Sequence, residues 1–215
     1  RLTLRDRYFM NHRDAMLKLL VPLGFEPACS RSESLFSVAE RSPTELHEDR
    51  HNQRWVAVSN AQDQATLGVV NNASFAHSLT RQELGLNVLR TPAYASFIMR
   101  PDHPHHGHRF TPRQDQGEHR VDFTIVPQRH RDEGELTRIA DELNVPTPHV
   151  SFFPGGGGQP SVMLHRDEPV LAVEPAEVEV TAVKKARRSE RLILRLREAR
   201  GESTQANVRI ADDAL

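Results

Sequence analysis

At 215 residues, with 37% apolar and 27% charged side chains, the chain is long enough to bury a core and polar enough for a soluble protein. Its 28 Lys and Arg against 29 Asp and Glu leave a net charge of −1, which excludes the strongly basic face of a nucleic-acid binder. A single cysteine, Cys29, excludes an intrachain disulfide and a thiolate metal cluster, and no apolar run approaches the roughly 18 residues of a membrane-spanning helix.

The chain opens at Arg1, with Leu2 and Leu4 alternating with Thr3 like a strand already in progress, and reads as a cut through a larger polypeptide. No signal peptide is visible, and with one cysteine the expected location is the cytoplasm. Fourteen prolines, 11 glycines and one long helical pattern predict an all-β, antiparallel architecture with many turns. Residues 15–21 form an apolar run broken only by Lys18 and closed by Pro22 and Gly24. Residues 35–38 are a further strand candidate, and the polar run 45–53 reads as a surface loop. Trp55, the only tryptophan, reads as a core or interdomain anchor at the start of a strand. Residues 66–70 predict a short buried strand ending at Asn71-Asn72, with Gly68 allowing a close approach. Leu84, Leu86 and Val88 alternate with Gly85 and Asn87, as a one-sided strand does.

His103, His105, His106 and His108 then place four imidazoles in six residues. Neutral imidazole is a common metal ligand, but the loop holds Pro104 and Gly107 and no cysteine, so it reads as a weak, adventitious metal site. The stretch 114–127 reads Q-D-Q-G-E-H-R-V-D-F-T-I-V-P. Its second half is a strand, with Val121, Phe123 and Ile125 on one face and Asp122 and Thr124 on the other. Its first half crowds Asp115, Gln116, Glu118, His119 and Arg120 around Gly117, and composition alone favours a charged turn on an exposed strand end. Gly117 allows a tight turn, which is expected to bury these groups instead, with Arg90 and Arg120 as candidate partners and Arg113 nearer the surface. Alanine at Asp115 or Glu118 is then expected to cost about 1–3 kcal/mol.

Residues 132–144 predict a helix, with Asp132 as N-cap, Glu135 as its capping-box partner and an apolar stripe of Leu136, Ile139, Ala140 and Leu143. The four glycines at 155–158 lack the helix and lysine of a phosphate loop and read as a linker. Val178, Val180 and Ala182 lead through a basic turn at 184–190 to Leu192, Leu194 and Leu196, a hairpin. The expected domains are a sandwich over 1–166, with the helix near 132–144, and a C-terminal hairpin portion over 167–215.

Asp115-Gln116-Gly117-Glu118-His119 resembles an element in the C-terminal region of the family 38 glycoside hydrolases, the zinc-dependent α-mannosidases. Thr111-Pro112-Arg113 resembles the bacterial branch of that family, and Leu89-Arg90-Thr91-Pro92 is similar to its Leu-Arg-Ser-Pro. The hairpin between Val178 and Leu196 also resembles a hairpin of the family. The chain departs from the pattern at Asn71-Asn72, where relatives carry Asn-Asp and then a Lys-Tyr-Gly-Tyr loop. The resemblance implies a β-sandwich of the galactose-mutarotase-like supersandwich type, without the N-terminal barrel that holds the zinc and the nucleophilic aspartate. It implies no catalytic residue and no cofactor in this chain. Asp115, Gln116, Gly117, Glu118, His119, Arg90 and Asn71 become candidates for the substrate rim or the barrel interface. The implied partners are the barrel and, through the whole enzyme, an α-mannoside. The alternative is a free-standing module binding carbohydrate or metal; 6% aromatic content counts against a sugar-stacking surface.

Overall fold

A computed structural model describes residues 2–8, 16–90, 117–145, 169–199 and 202–211. The chain divides into two units, Arg1–Asn144 and Val145–Leu215. In chain order the first holds β1 (Leu2–Tyr8), β2 (Met16–Pro22), β3 (Cys29–Ser34), β4 (Ser37–Arg41), β5 (Arg50–His51), β6 (Trp55–Ser59), β7 (Thr66–Asn71), β8 (Ala76–Leu79), β9 (Glu83–Arg90), β10 (Gly117–Gln128) and the helix α1 (Glu133–Asn144). The second holds β11 (Leu171–Glu174), β12 (Val178–Lys185), β13 (Leu192–Glu198) and β14 (Asn207–Ile210). Among the described residues the fold is all-β and antiparallel, with one short packed helix, as the composition predicts.

In the first unit a six-stranded sheet runs β1-β10-β7-β6-β3-β4 and a four-stranded sheet runs β2-β9-β8-β5. Their facing sides share one core, in which Val56, Val58, Val69, Val121 and Phe123 of the larger sheet meet Leu79, Leu84 and Leu86 of the smaller. The other side of the larger sheet carries α1, and Trp55, Ala57 and Val70 pack there on Leu136 and Ala140. All five residues of β6 are therefore buried, one set of side chains in each layer. Trp55 is a core residue, its Nε1 donating to Thr137 Oγ1 at 3.1 Å. The helical stripe faces the sheet as its 3.6-residue period requires. Asp132 caps α1 by accepting Glu135 N at 3.1 Å, while Gln128 accepts Asp132 N and donates to the Glu135 carboxylate at 2.7 Å.

Several expectations are corrected. Residues 35–38 are not one strand: Leu35 and Phe36 form the two-residue turn between β3 and β4, with Ser34 opposite Ser37. The polar run 45–53 contains β5 and the fully buried Asn52. Ile125 lies exposed near the end of β10, beyond the core that takes Val121 and Phe123, whereas Asp122 is buried.

In the second unit β12 and β13 form the expected hairpin, with a bulge between Val180 and Ala182 and a turn closed by Ala186 N donating to Arg191 O at 2.8 Å. The lysines 184 and 185 belong to β12 and not to its turn, and Lys185 pairs with Glu190 at 2.5 Å. β11 pairs with β14, a ladder that alternation does not reveal. Residues 103–108 and the four glycines lie outside the described residues.

Candidate functional site

The strand order brings the candidate residues of the sequence to one end of the sandwich. β7 ends there at Asn71, β9 ends there at Arg90, and β10 begins there at Gly117. Backbone bonds tie the neighbouring segments together: Asn71 N donates to Arg54 O at 2.7 Å, Gln53 N to Glu33 O at 2.9 Å, and Asn52 N to Phe75 O at 3.2 Å. Arg90 belongs to the four-stranded sheet, opposite Met16, and the other candidates belong to the six-stranded sheet. Asp115 and Gln116 lie outside the described residues.

Gly117 does not make the predicted turn. It opens β10 at φ 131°, opposite Tyr8, and Glu118, His119 and Arg120 continue the strand opposite Arg7, Asp6 and Arg5. β7 stops where Asn71 meets Phe123, so the first six residues of β10 pair with β1 alone, as a two-stranded ribbon. Alternation then sends Glu118 and Arg120 into solvent and leaves His119 half-buried, so the expected burial of Glu118 does not occur.

The buried carboxylate of this ribbon is Asp122, which the alternating pattern placed on a polar face. It accepts from Thr3 Oγ1 at 2.5 Å and from Asn72 Nδ2 at 3.4 Å, and Arg120 reaches it at 3.3 Å. Its own N–H donates to Asn72 Oδ1 at 2.9 Å. A buried charge survives when cation and hydrogen bonds replace its water, and this set supplies both. Asn71 shapes the loop instead: its Oδ1 accepts Ser74 N at 2.7 Å and Ala73 N at 3.2 Å, an Asx turn in a fully buried setting. Glu33, also buried, accepts Arg54 N at 3.1 Å and Nε at 2.8 Å, and Arg54 pairs in addition with Asp141 of α1. Nothing in a run of serines and charges at 29–34 marked Glu33 or β3; only the pairing does.

The outer side of the four-stranded sheet carries a second polar cluster. Ser78 Oγ, His47 and Glu83 stand in the order hydroxyl, imidazole, carboxylate, with steps of 3.0 Å each. That order serves acyl transfer, but Ser78 is fully buried and also accepts from Lys18 Nζ at 3.1 Å. The cluster anchors the loop before β5 to the sheet. Burial raises the affinity of Asp49 for a proton, but hydrogen bonds from Lys18 and Asn87 and the charges of Lys18 and Arg90 outweigh it and hold the carboxyl below its usual range.

Between the sheets lies His77. Its Nδ1 meets Asn52 Oδ1 at 3.3 Å and its Nε2 meets Ser30 Oγ at 3.1 Å. Burial pushes its pKa down to about 4, with Asp49 opposing. Burial likewise pushes the Cys29 thiol up, away from a nucleophile. Among the described residues, no group of three or more His, Cys, Asp or Glu is placed to hold a metal ion, and no helix is long and apolar enough to cross a membrane.

Neither a protein-family model nor a curated protein matches the sequence. The chain is similar in fold to an alpha-mannosidase from Enterococcus faecalis V583, whose crystal structure superposes with a TM-score of 0.70 at 16% identity over 91% of this chain. The chain spans 21% of the length of that protein. At this identity the likeness bears on the fold.

Proposed function

We propose that this chain is the accessory β-sandwich of a larger zinc-dependent α-mannosidase of glycoside hydrolase family 38, which acts on α-mannosides through a catalytic domain elsewhere in the polypeptide. The observation that carries the reading is the fold likeness of 91% of this chain to 21% of an alpha-mannosidase. The family-like stretch at residues 115–119 supports it, because Gly117, Glu118 and His119 reach the same end of the sandwich as Arg90.

Retaining hydrolysis needs a nucleophilic carboxylate and an acid/base carboxyl about 5–5.5 Å apart across the glycosidic bond. Asp122 is buried on the side chains of Thr3 and Asn72, Glu33 holds the backbone and guanidinium of Arg54, and Asp49 is held by Lys18. In this reading the chain's work is positional. The ribbon of β1 and β10 stands beside the catalytic domain, and exposed Glu118, Arg120 and Arg90 supply hydrogen-bonding groups at its rim. Attack on the sugar falls to the other domain.

The test is to express the polypeptide encoded by the whole reading frame and to assay an aryl α-mannoside before and after chelation of zinc. Hydrolysis that chelation abolishes is the expected result. A full-length polypeptide that cleaves no α-mannoside overturns the reading.

A further inference from the structure

The end that gathers Asn71, Arg90 and Gly117 also carries large apolar side chains that the fold leaves in water. Leu35 and Phe36 make up the whole turn between β3 and β4, and each is about two-thirds exposed. Phe75, on the loop that Asn71 shapes, is exposed to the same degree. Turn and loop flank a single segment, since Gln53 bonds to Glu33 and Asn52 to Phe75. At the opposite end the turns at 60–65, 80–82 and 129–132 carry no exposed large apolar side chain, and Leu46 lies in solvent on the loop that Thr44 and His47 tie to Leu79 and Glu83. Three exposed apolar side chains thus gather about one segment at the first end, against the single Leu46 on the loops of the other.

The backbone adds a second observation. Phe36 has a φ of 58°, in the left-handed region where two-residue hairpin turns ordinarily hold glycine or asparagine. A bulky aromatic there strains the turn and leaves its ring in water, so the isolated fold gains nothing from it. Such strain concentrates where a side chain is presented to a partner.

We propose that Leu35, Phe36 and Phe75 dock this end of the sandwich into apolar recesses of another folded domain of the same polypeptide. The identity of that domain as the catalytic one rests on the function proposed above. None of the three side chains carries a hydrogen-bonding group to orient a glycan's hydroxyls, and Leu35 has no ring to stack on a sugar face, so the set suits the apolar surface of a protein. They lie at the end where the ribbon of β1 and β10 and the carboxy end of β9 also project, and the related fold occupies only 21% of the longer alpha-mannosidase chain.

The experiment compares one pair of variants in two contexts, Phe36→Gly and Leu35→Asn with Phe75→Ser, in this chain alone and in the polypeptide of the full reading frame. Alone, Phe36→Gly raises the melting temperature by relieving the left-handed phenylalanine, and the double change leaves it within a degree or so. In the longer polypeptide both variants uncouple the calorimetric transitions of the two domains and lower kcat/KM several-fold. Equal shifts in the two contexts, or no change in the longer one, overturn the docking. So does concentration-dependent self-association of this chain that the variants abolish, which makes a second copy the occupant. If the longer polypeptide cleaves no α-mannoside yet shows the uncoupling, the proposed function falls and the docking stands.

Discussion

Leu136 lies so directly over Gly68 that a β-carbon on Gly68 would collide with its side chain. The helix sits on the sheet at the one position of β7 that has no side chain to displace it. Gly68→Ala is therefore expected to destabilise the chain by about 1–3 kcal/mol, the range for overpacking a filled site. Urea unfolding measures it, and a double-mutant cycle assigns the cause. In a Leu136→Ala background the same alanine costs much less, because the obstructing carbons are gone.

Asp122 and Glu118 stand on one strand in opposite circumstances. Asp122→Ala strips a buried acceptor from Thr3, Asn72 and Arg120, and is expected to cost about 1–3 kcal/mol. Glu118→Ala removes an exposed side chain and is expected to stay within about 0.5 kcal/mol. Thermal unfolding of the two variants side by side checks both values. The order reverses the weight that the family-like stretch alone placed on Glu118.

His77 makes the fold sensitive to acid. Above pH 6.5 the imidazole is neutral in both folded and unfolded chains. Between 6.5 and about 4 only the unfolded chain takes the proton, so stability falls as the pH falls. Below about 4 both states are protonated and this contribution no longer changes. The loss is on the order of 3 kcal/mol across that window, from 1.36 kcal/mol per pKa unit. Melting temperatures from pH 7 to 4 measure it. His77→Gln, which keeps an amide near Asn52 and Ser30, is expected to flatten the curve over that window.

Much of the fold was legible in the sequence because many strands see one core and one solvent layer. Leu84, Leu86 and Val88 announce β9, and the stripe from Leu136 to Leu143 announces α1, through their periods. β3 escaped because its buried positions are Ser30, Ser32 and Glu33, satisfied by His77, by the His51 carbonyl and by Arg54, and hydropathy does not register satisfied polar groups. The turn at Leu35-Phe36 escaped for the converse reason: two apolar residues in a row read as strand although they lie in solvent. At the candidate site, sequence picked out Arg90, Asn71 and the stretch from Gly117 to His119, which the topology gathers at one end. It did not find Asp122, whose burial depends on Thr3 and Asn72, 119 and 50 residues away.

The assay that bears most directly on the account is turnover by the purified 215-residue chain itself. Given an aryl α-mannoside, with and without added zinc, the chain is expected to release no product above a heat-treated control, because Asp122, Glu33 and Asp49 are committed to partners within the fold and the function proposed above assigns attack on the sugar to another domain. Reproducible release of product, lost on Asp122→Asn or on His47→Ala in a chain that still folds, would contradict it and place the chemistry in the sandwich.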